Sequence, residues 1–517
     1  MLKNSLLFFI FLSIFFSCSN KKNSKLSQSN SNSDLPASFS KNENFEKEVK
    51  NLVSTIFNDI FPHKKNLDTF KLLSAVNNSK NSDELQYNLR NLFDSQNDYH
   101  TKYFGKGDPV FYGLSPENIE LSKVFNQDKE YFLVSKVSLT YNNYNIDNVL
   151  RQFQVGDRII SINHKSPQDW IDIILWNNLG ANLTAKKSRA LKEIFFSNFP
   201  YRYHVVIYRG HHFLDINIPP FKMVSDFFAE NKDDYNNYSL KNEEIFEVKS
   251  IENFAYVKLK TFQYENSIDN ILNLKFIANK LKDNILSQNK NKLIIDVRNN
   301  EGGNLILSDI LAYLFYNPNI NKQFFPMYFR LKASATNLEV ILDFESSLNF
   351  KELYNINQQK SLLFDALSKN LEYTESFPMV SQQFLNSIEP GFFIKYSGKE
   401  IYILMNSLCY SACDAFVAIL KDQNLVTKVI GEDVQTGGGG ASVLAFDIDK
   451  ENKVYFQTSF MQMQSKTENG FRLIEGEGTY ADCVYPKSFE DFSTQDPIIN
   501  DENYIKRVIQ KLNKNEC

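Results

Sequence analysis

Residues 399–422 read KEIYILMNSLCYSACDAFVAILKD, and the stretch changes character at its middle. Ile401 to Met405 is an unbroken apolar run, the pattern of a strand buried on both faces. From there on, Ala412, Phe416, Ile419 and Leu420 recur at helical spacing. Asn406 to Tyr410 is the turn between them, and it delivers Ser411 to the start of the helix. Backbone N–H groups there lack intrahelical partners, and the helix dipole favours negative charge. Acyl transfer needs such a setting for a nucleophile beside a developing oxyanion. A serine in this position is also an ordinary N-cap, and the stretch by itself does not separate the two.

The flanking sequence repeats the strand–helix theme. FAYVKLKTF (254–262) reads as a strand, SIDNILNLKFIANKLKD as a helix, and KLIIDVRNNEGGNLILSDILAYLF as a buried strand ending at Asp296 with a helix from about Leu305. This succession predicts parallel strands joined by crossover helices. Sites in such sheets gather at the carboxyl ends of strands, where both Gly302-Gly303 and Ser411 fall. The two glycines serve either a chain reversal or a bare N–H offered to an oxyanion. No Gly-Lys-Ser/Thr follows them, which excludes a phosphate loop. Downstream come a strand at KVIG (428–431), four glycines at 437–440, the strand VYFQTSFMQMQSK, and the turn FRLIEGEGTYADCVYP with Glu475 and Glu477. Residues 491–517 close the chain with a short amphipathic helix, YIKRVIQKLNKNEC. Residues 322–398 are too long for a normal connection and rich in aromatic residues, so they are expected to form a lid or substrate-facing insertion.

The chain has 517 residues, enough for two or three domains. Its 57 basic and 61 acidic residues leave a net charge of −4, which asks for neither nucleic acid nor an anionic surface. Residues 1–18 read as a leader: Lys3 is followed by the apolar run Leu6–Phe16, too short to span a membrane, and then by Ser17-Cys18. A Cys after a small residue at the end of such a run resembles the lipobox of bacterial lipoproteins, although Phe15 stands where Leu is usual. Cys18 is thus the expected lipidation site. Residues 19–42 are rich in Ser, Asn and Lys and read as a flexible tether, so the chain is expected to be exported and held to a bacterial membrane, on its periplasmic face or at the cell surface. Cys409, Cys413, Cys483 and Cys517 form no CxxC pair, which argues against a structural zinc site. Export permits disulfides, but spacing does not give the pairing. Cys409 and Cys413 are read as small packing residues. No metal or cofactor is expected.

Residues 43–105 read as a helical region, with Phe45, Val49, Leu52, Val53 and Ile56 at helical spacing and a second helix from about Ser82 to Phe93. His100 follows in the loop DSQNDYHT. Residues 106–225 turn to strands, FLVSKVSL and HVVIYRG, around the string VGDRIISINHKSP. That string resembles the later half of a PDZ domain, a module that captures peptides at a sheet edge.

Several of these stretches, DSQNDYHT, VGDRIISIN, FAYVKLKTF, IIDVRNNEGG, SLCYSACDAF, VIGEDVQTGGGG and IEGEGTYAD, together resemble the C-terminal-processing and tricorn-type serine peptidases, in that family's order. The resemblance implies an α/β fold: a crotonase-like ββα catalytic core with a mixed or parallel sheet over about 226–490, after a small helical domain and a PDZ-like β-rich domain. One branch of the family uses a lysine base in a Gly-Lys-Gly loop; here that loop is Thr436 to Gly440 and holds no lysine. The other branch uses a histidine ahead of the PDZ-like domain, which His100 matches, and a glutamate three residues before a closing glycine, which makes Glu475 the match and Glu477 the fallback. Tyr99 stands where tricorn has a serine. The resemblance therefore implies Ser411 as nucleophile, His100 as base, Glu475 as the acid that orients it, and the N–H groups of Gly303 and Ala412 as the oxyanion hole. It implies a polypeptide substrate. The competing readings are a degenerate peptidase fold that serves as a binding or assembly lipoprotein, and acyl-CoA chemistry, which an exported location disfavours.

Overall fold

The computed structural model describes residues 43–62, 67–96, 98, 100–104, 110–127, 129–140, 143–175, 180–197, 200–224, 245–263, 269–317, 323–347, 355–380, 384–385, 400–449 and 454–517. The leader, Cys18 and the tether lie outside the described residues, as does Tyr99. The architecture is mixed α/β, assembled around a six-stranded sheet. Its strands run in the order Phe246–Ile251, Phe254–Leu259, Lys292–Asp296, Glu400–Met405, Lys428–Gly431, Cys483–Val484. The first pair is antiparallel and every later pair is parallel, with Ile294 opposite Tyr402 and Ile403 opposite Val429. The apolar runs read from the sequence are these strands, and both their faces are covered. Leu293, Ile295, Ile401 and Ile403 face the main core, while Ile294, Tyr402 and Leu404 pack with Tyr504, Ile505 and Val508 of the closing helix Pro497–Asn513.

A second six-stranded sheet is built on the long strand Val454–Thr467. It pairs with Lys102–Phe104, Tyr328–Leu331, Ala441–Asp449 and Gly470–Leu473, all antiparallel. The long strand therefore joins the neighbourhood of His100 to segments more than three hundred residues later. The expected insertion enters here. Its strand Tyr328–Leu331 pairs Phe329 with Met463, and Phe329, Leu331, Ile341 and Phe377 are buried in the main core. The Ser334 hydroxyl and the Tyr373 phenol donate to the carbonyls of Asp59 and Pro62. The described part of this segment is thus framework of the main core, where a lid or substrate-facing insertion was expected. Apolar burial explains the difference, since aromatic residues at strand spacing found a sheet edge to complete.

The N-terminal helices Glu43–Thr55, Leu67–Asn77 and Ser82–Asp94 contribute Val49, Val53, Leu73, Leu85 and Leu89 to that same core. A five-stranded antiparallel sheet has its own core of Leu121, Val134, Ile159, Val205 and Ile207. Its strands are Ile119–Asn126, Lys129–Val137, Arg158–Ile162, Tyr203–Arg209 and His212–Ile218. The Gly156-Asp157 turn is closed by Arg209, whose guanidinium grips the Asp157 carboxylate. From this unit the helix Leu183–Lys192 reaches back toward Ser411.

Candidate active site

Ser411 stands between the strand Glu400–Met405 and the helix Ala412–Asp422, with φ +57° and ψ −123° and no capping hydrogen bond from its side chain. The plain N-cap reading therefore fails. A non-glycine residue in that region of backbone space is strained and persists only when its surroundings over-determine it. They do so here. The N–H of Tyr410 donates to Asn300 O at 3.2 Å, that of Cys413 to Tyr410 O at 3.1 Å, and that of Gly437 to Cys409 O at 2.8 Å. Cys409 and Cys413, read as packing residues, are joined in a disulfide with Cα atoms 5.3 Å apart. The strand-to-helix turn brings the two side chains together, a closeness that sequence spacing does not reveal.

Gly302 backs this turn with φ +97°; a Cβ on it would lie 2.5 Å from Tyr410 O and 2.8 Å from Ser411 Cβ, so only glycine fits. Its own N–H is spent on Asn300 Oδ1. Gly303 is bridged to Phe262 through its neighbours, Phe262 N–H to Gly302 O and Asn304 N–H to Phe262 O. Among the described residues no hydrogen bond engages the N–H of Gly303 or of Ala412. These are the two donors named from the sequence, and Ala412 N lies 2.9 Å from the Cβ position of Gly302.

His100 is buried, with its ring 5.1 Å from that of Tyr410, the residue before Ser411. A Cβ on Gly440 would lie 2.7 Å from His100 Nδ1, and a Cβ on Gly439 would collide with Ser411 N. The glycine run thus threads between base and serine, where any side chain would part them. Asp98 sets the histidine: its Oδ1 lies 3.9 Å from Nδ1 and accepts the His100 N–H at 3.0 Å. The Thr101 hydroxyl donates to Oδ2 at 2.6 Å, and the Tyr410 phenol donates to Oδ1 at 3.3 Å.

Glu475, the expected orienting acid, is buried in the same region, but both its oxygens accept from Met463 N–H at 2.7 Å. Burial pushes its carboxyl well above the usual carboxylate range, and the charges of Asp98 and Asp414 push the same way against the Met463 bond. The neighbouring strand had a backbone donor to offer, and a buried carboxyl takes one. Glu477, the fallback, is exposed. Asp414, unassigned from the sequence, accepts from Thr436, Thr479, Gly438 and Gly439 at 2.7–3.2 Å and so pins the glycine loop. Burial raises its carboxyl too. Its position in the first turn after Ser411 was the available signal; for Asp98 it was the spacing DxH.

A third wall comes from the helix Leu183–Lys192. Its cap residue Asn182 donates to Thr436 O at 2.9 Å, and Ser188 meets Ser407 at 2.7 Å. Lys192 pairs with Glu301, beside Gly302, at 3.0 Å. Lys421, near the end of the helix that follows Ser411, is paired with Asp482 at 2.7 Å. Among the described residues no group of His, Cys, Asp or Glu could hold a metal ion.

A strained serine at a sheet's carboxyl end, a histidine beside an acid, and two backbone donors are the parts that acyl transfer from a serine needs. Residues 253–483 match Peptidase family S41, so the chain carries a domain of that family and is a serine-type peptidase. Among solved structures it is similar to mature CPAF, at 13% identity and a TM-score of 0.62 over 91% of this chain and 98% of that one. It is also similar to mature CPAF complexed with lactacystin, at 14% identity and a TM-score of 0.62 over 91% of this chain and 99% of that one. These likenesses are of fold. A search of curated proteins found no match.

Proposed function

We propose that this chain is an exported, lipid-anchored serine endopeptidase that cleaves polypeptides through an acyl-enzyme. Ser411 attacks the scissile carbonyl, and His100 takes its proton and returns it to the leaving amine. Gly303 and Ala412 receive the oxyanion, each donor of this kind being worth about 3–4 kcal/mol in the transition state. Asp98 holds the imidazole, and Glu475 is anchored on Met463. The observation that carries this reading is the left-handed Ser411 flanked by unengaged N–H groups and by the His100–Tyr410 contact. Export draws support from the leader and from two disulfides, Cys409–Cys413 and Cys483–Cys517, which suit an oxidising compartment. The anchor rests on Ser17-Cys18, since no helix among the described residues is long and apolar enough to cross a membrane. The PDZ-like unit, through its helix at the cleft, would present the polypeptide.

The test is capture of a fluorophosphonate probe by the purified protein. The label is expected on Ser411, and it should be lost in Ser411→Ala and slowed by several powers of ten in His100→Ala. A folded protein that takes no label, and releases nothing from casein, would instead be a binding lipoprotein built on a peptidase fold.

A further inference from the structure

The Cys409–Cys413 bridge encloses Tyr410, Ser411 and Ala412, so the nucleophile and an oxyanion donor lie inside one small covalent ring. We propose that this disulfide is a positioning element of the active site, a brace that keeps Ser411 and the Ala412 N–H in register, so that catalysis depends on the bridge being closed. The inference rests on the reading of Ser411 as nucleophile. Three observations carry it. Ser411 is held at φ +57°, a conformation that needs restraint from both sides. The hydrogen bond from Cys413 N–H to Tyr410 O already spans Ser411, and the bridge adds a covalent tie between the strand end and the helix start across the same residues.

The second observation is the size of the ring. Four positions separate these cysteines, against 34 for Cys483 and Cys517. A ring so short constrains the unfolded chain less than the longer loop does, so a larger share of what the bridge does is local. The third is burial. Both sulfurs lie in the main core, with Cys409 and Cys413 at 0% exposure. Bonded sulfurs sit about 2.0 Å apart, and separate thiols need roughly 3.5–4 Å. A close-packed interior has no slack to absorb that difference, so opening the bridge moves the turn that carries Ser411.

Opening is a balanced exchange. A dithiol gives two electrons and two protons to the sulfur–sulfur bond, leaving two cysteine thiols and the reagent's cyclic disulfide; glutathione disulfide takes them back on closure. The test compares three full-length proteins: wild type, Cys409→Ala/Cys413→Ala, and Cys483→Ala/Cys517→Ala. Each is read for the rate of fluorophosphonate capture at Ser411 and for kcat and KM on an activated peptide ester. The first pair should lose about tenfold to a hundredfold in capture rate and kcat, the range expected for a misplacement near 1 Å, with KM little changed. The second pair should keep the wild-type rates. Should the first pair fail to fold, the Cys483→Ala/Cys517→Ala protein is treated with a dithiol until mass spectrometry finds Cys409 and Cys413 free. Capture must then fall while circular dichroism is unchanged, and must return with glutathione disulfide. A folded protein with this bridge absent or open that labels at the wild-type rate overturns the proposal. If wild-type Ser411 takes no label at all, the serine reading falls and this inference falls with it.

Discussion

The sharpest test of the site's electrostatics is Asp98→Asn. Asn keeps the shape of the side chain, and its one oxygen can still accept from the His100 N–H, but its amide nitrogen cannot accept from the Thr101 hydroxyl, and it removes the charge 3.9 Å from Nδ1. When His100 takes the serine proton it becomes a cation, and the carboxylate then stabilises it. Two unit charges 3.9 Å apart interact by about 4 kcal/mol at an effective dielectric constant of about 20. At about 1.4 kcal/mol per power of ten, losing that interaction slows the reaction ~10³-fold. The assay is kcat on an activated peptide ester together with the rate of fluorophosphonate capture, with folding checked by circular dichroism. Glu475→Gln is the companion. Burial pushes the Glu475 carboxyl well above the usual carboxylate range and its oxygens are bonded to Met463, so its amide disturbs the charge at His100 less and should cost no more than about tenfold. The reverse ranking, with Asp98→Asn near wild type and Glu475→Gln down ~10³-fold, would refute the assignment and make Glu475 the acid that serves His100.

Glu475 also predicts a pH signature. Its folded pKa is raised, so between the ordinary carboxylate range and that value the unfolded chain sheds a proton that the native state keeps, and stability falls as pH rises. Glu475→Gln should therefore gain in Tm relative to wild type as pH rises above the ordinary carboxylate range; a relative loss there would count against it. Gly302→Ala sets a Cβ 2.5 Å from Tyr410 O and should lower kcat by ~10²-fold. Gly156→Ala, also at positive φ but with open space around it, should cost only about 1–2 kcal/mol of stability and leave kcat alone. Cys18→Ala should abolish acylation and move the protein to the soluble fraction, and persistence in salt-washed membranes would sink the anchor.

The central sheet was legible because its strands are continuous apolar runs, with Ile401–Met405 the plainest, and such runs have few other solutions. Ser411 stood out as a candidate because a strand end and a helix start meet there, whereas Gly303 and Ala412 were named as donors only through the family resemblance. The second sheet was not, since the partners of Val454–Thr467 come from residues 102 to 473 and local pattern carries no information on pairing across such distances. For the same reason Tyr328–Leu331 read as part of a cover. Asp98, Asp414 and the Cys409–Cys413 bridge act through side-chain closeness that a turn creates, and spacing alone showed only that they were nearby. Glu475 was located within the site, but its hydrogen bond to Met463 depends on a strand register invisible in the sequence.

The long strand Val454–Thr467 has a consequence for when the enzyme becomes dangerous. Ser459 N–H donates to the Thr101 hydroxyl, beside His100, and Met463 N–H anchors Glu475. Histidine and serine are thus 311 positions apart, and the seat of the histidine is finished by residues made after the serine. A chain only partly folded can hold Ser411 in its turn and yet have no proton acceptor seated for it. Contacts so distant in sequence also form slowly. Catalytic competence therefore waits on these long-range contacts, and a half-folded protease is a silent one.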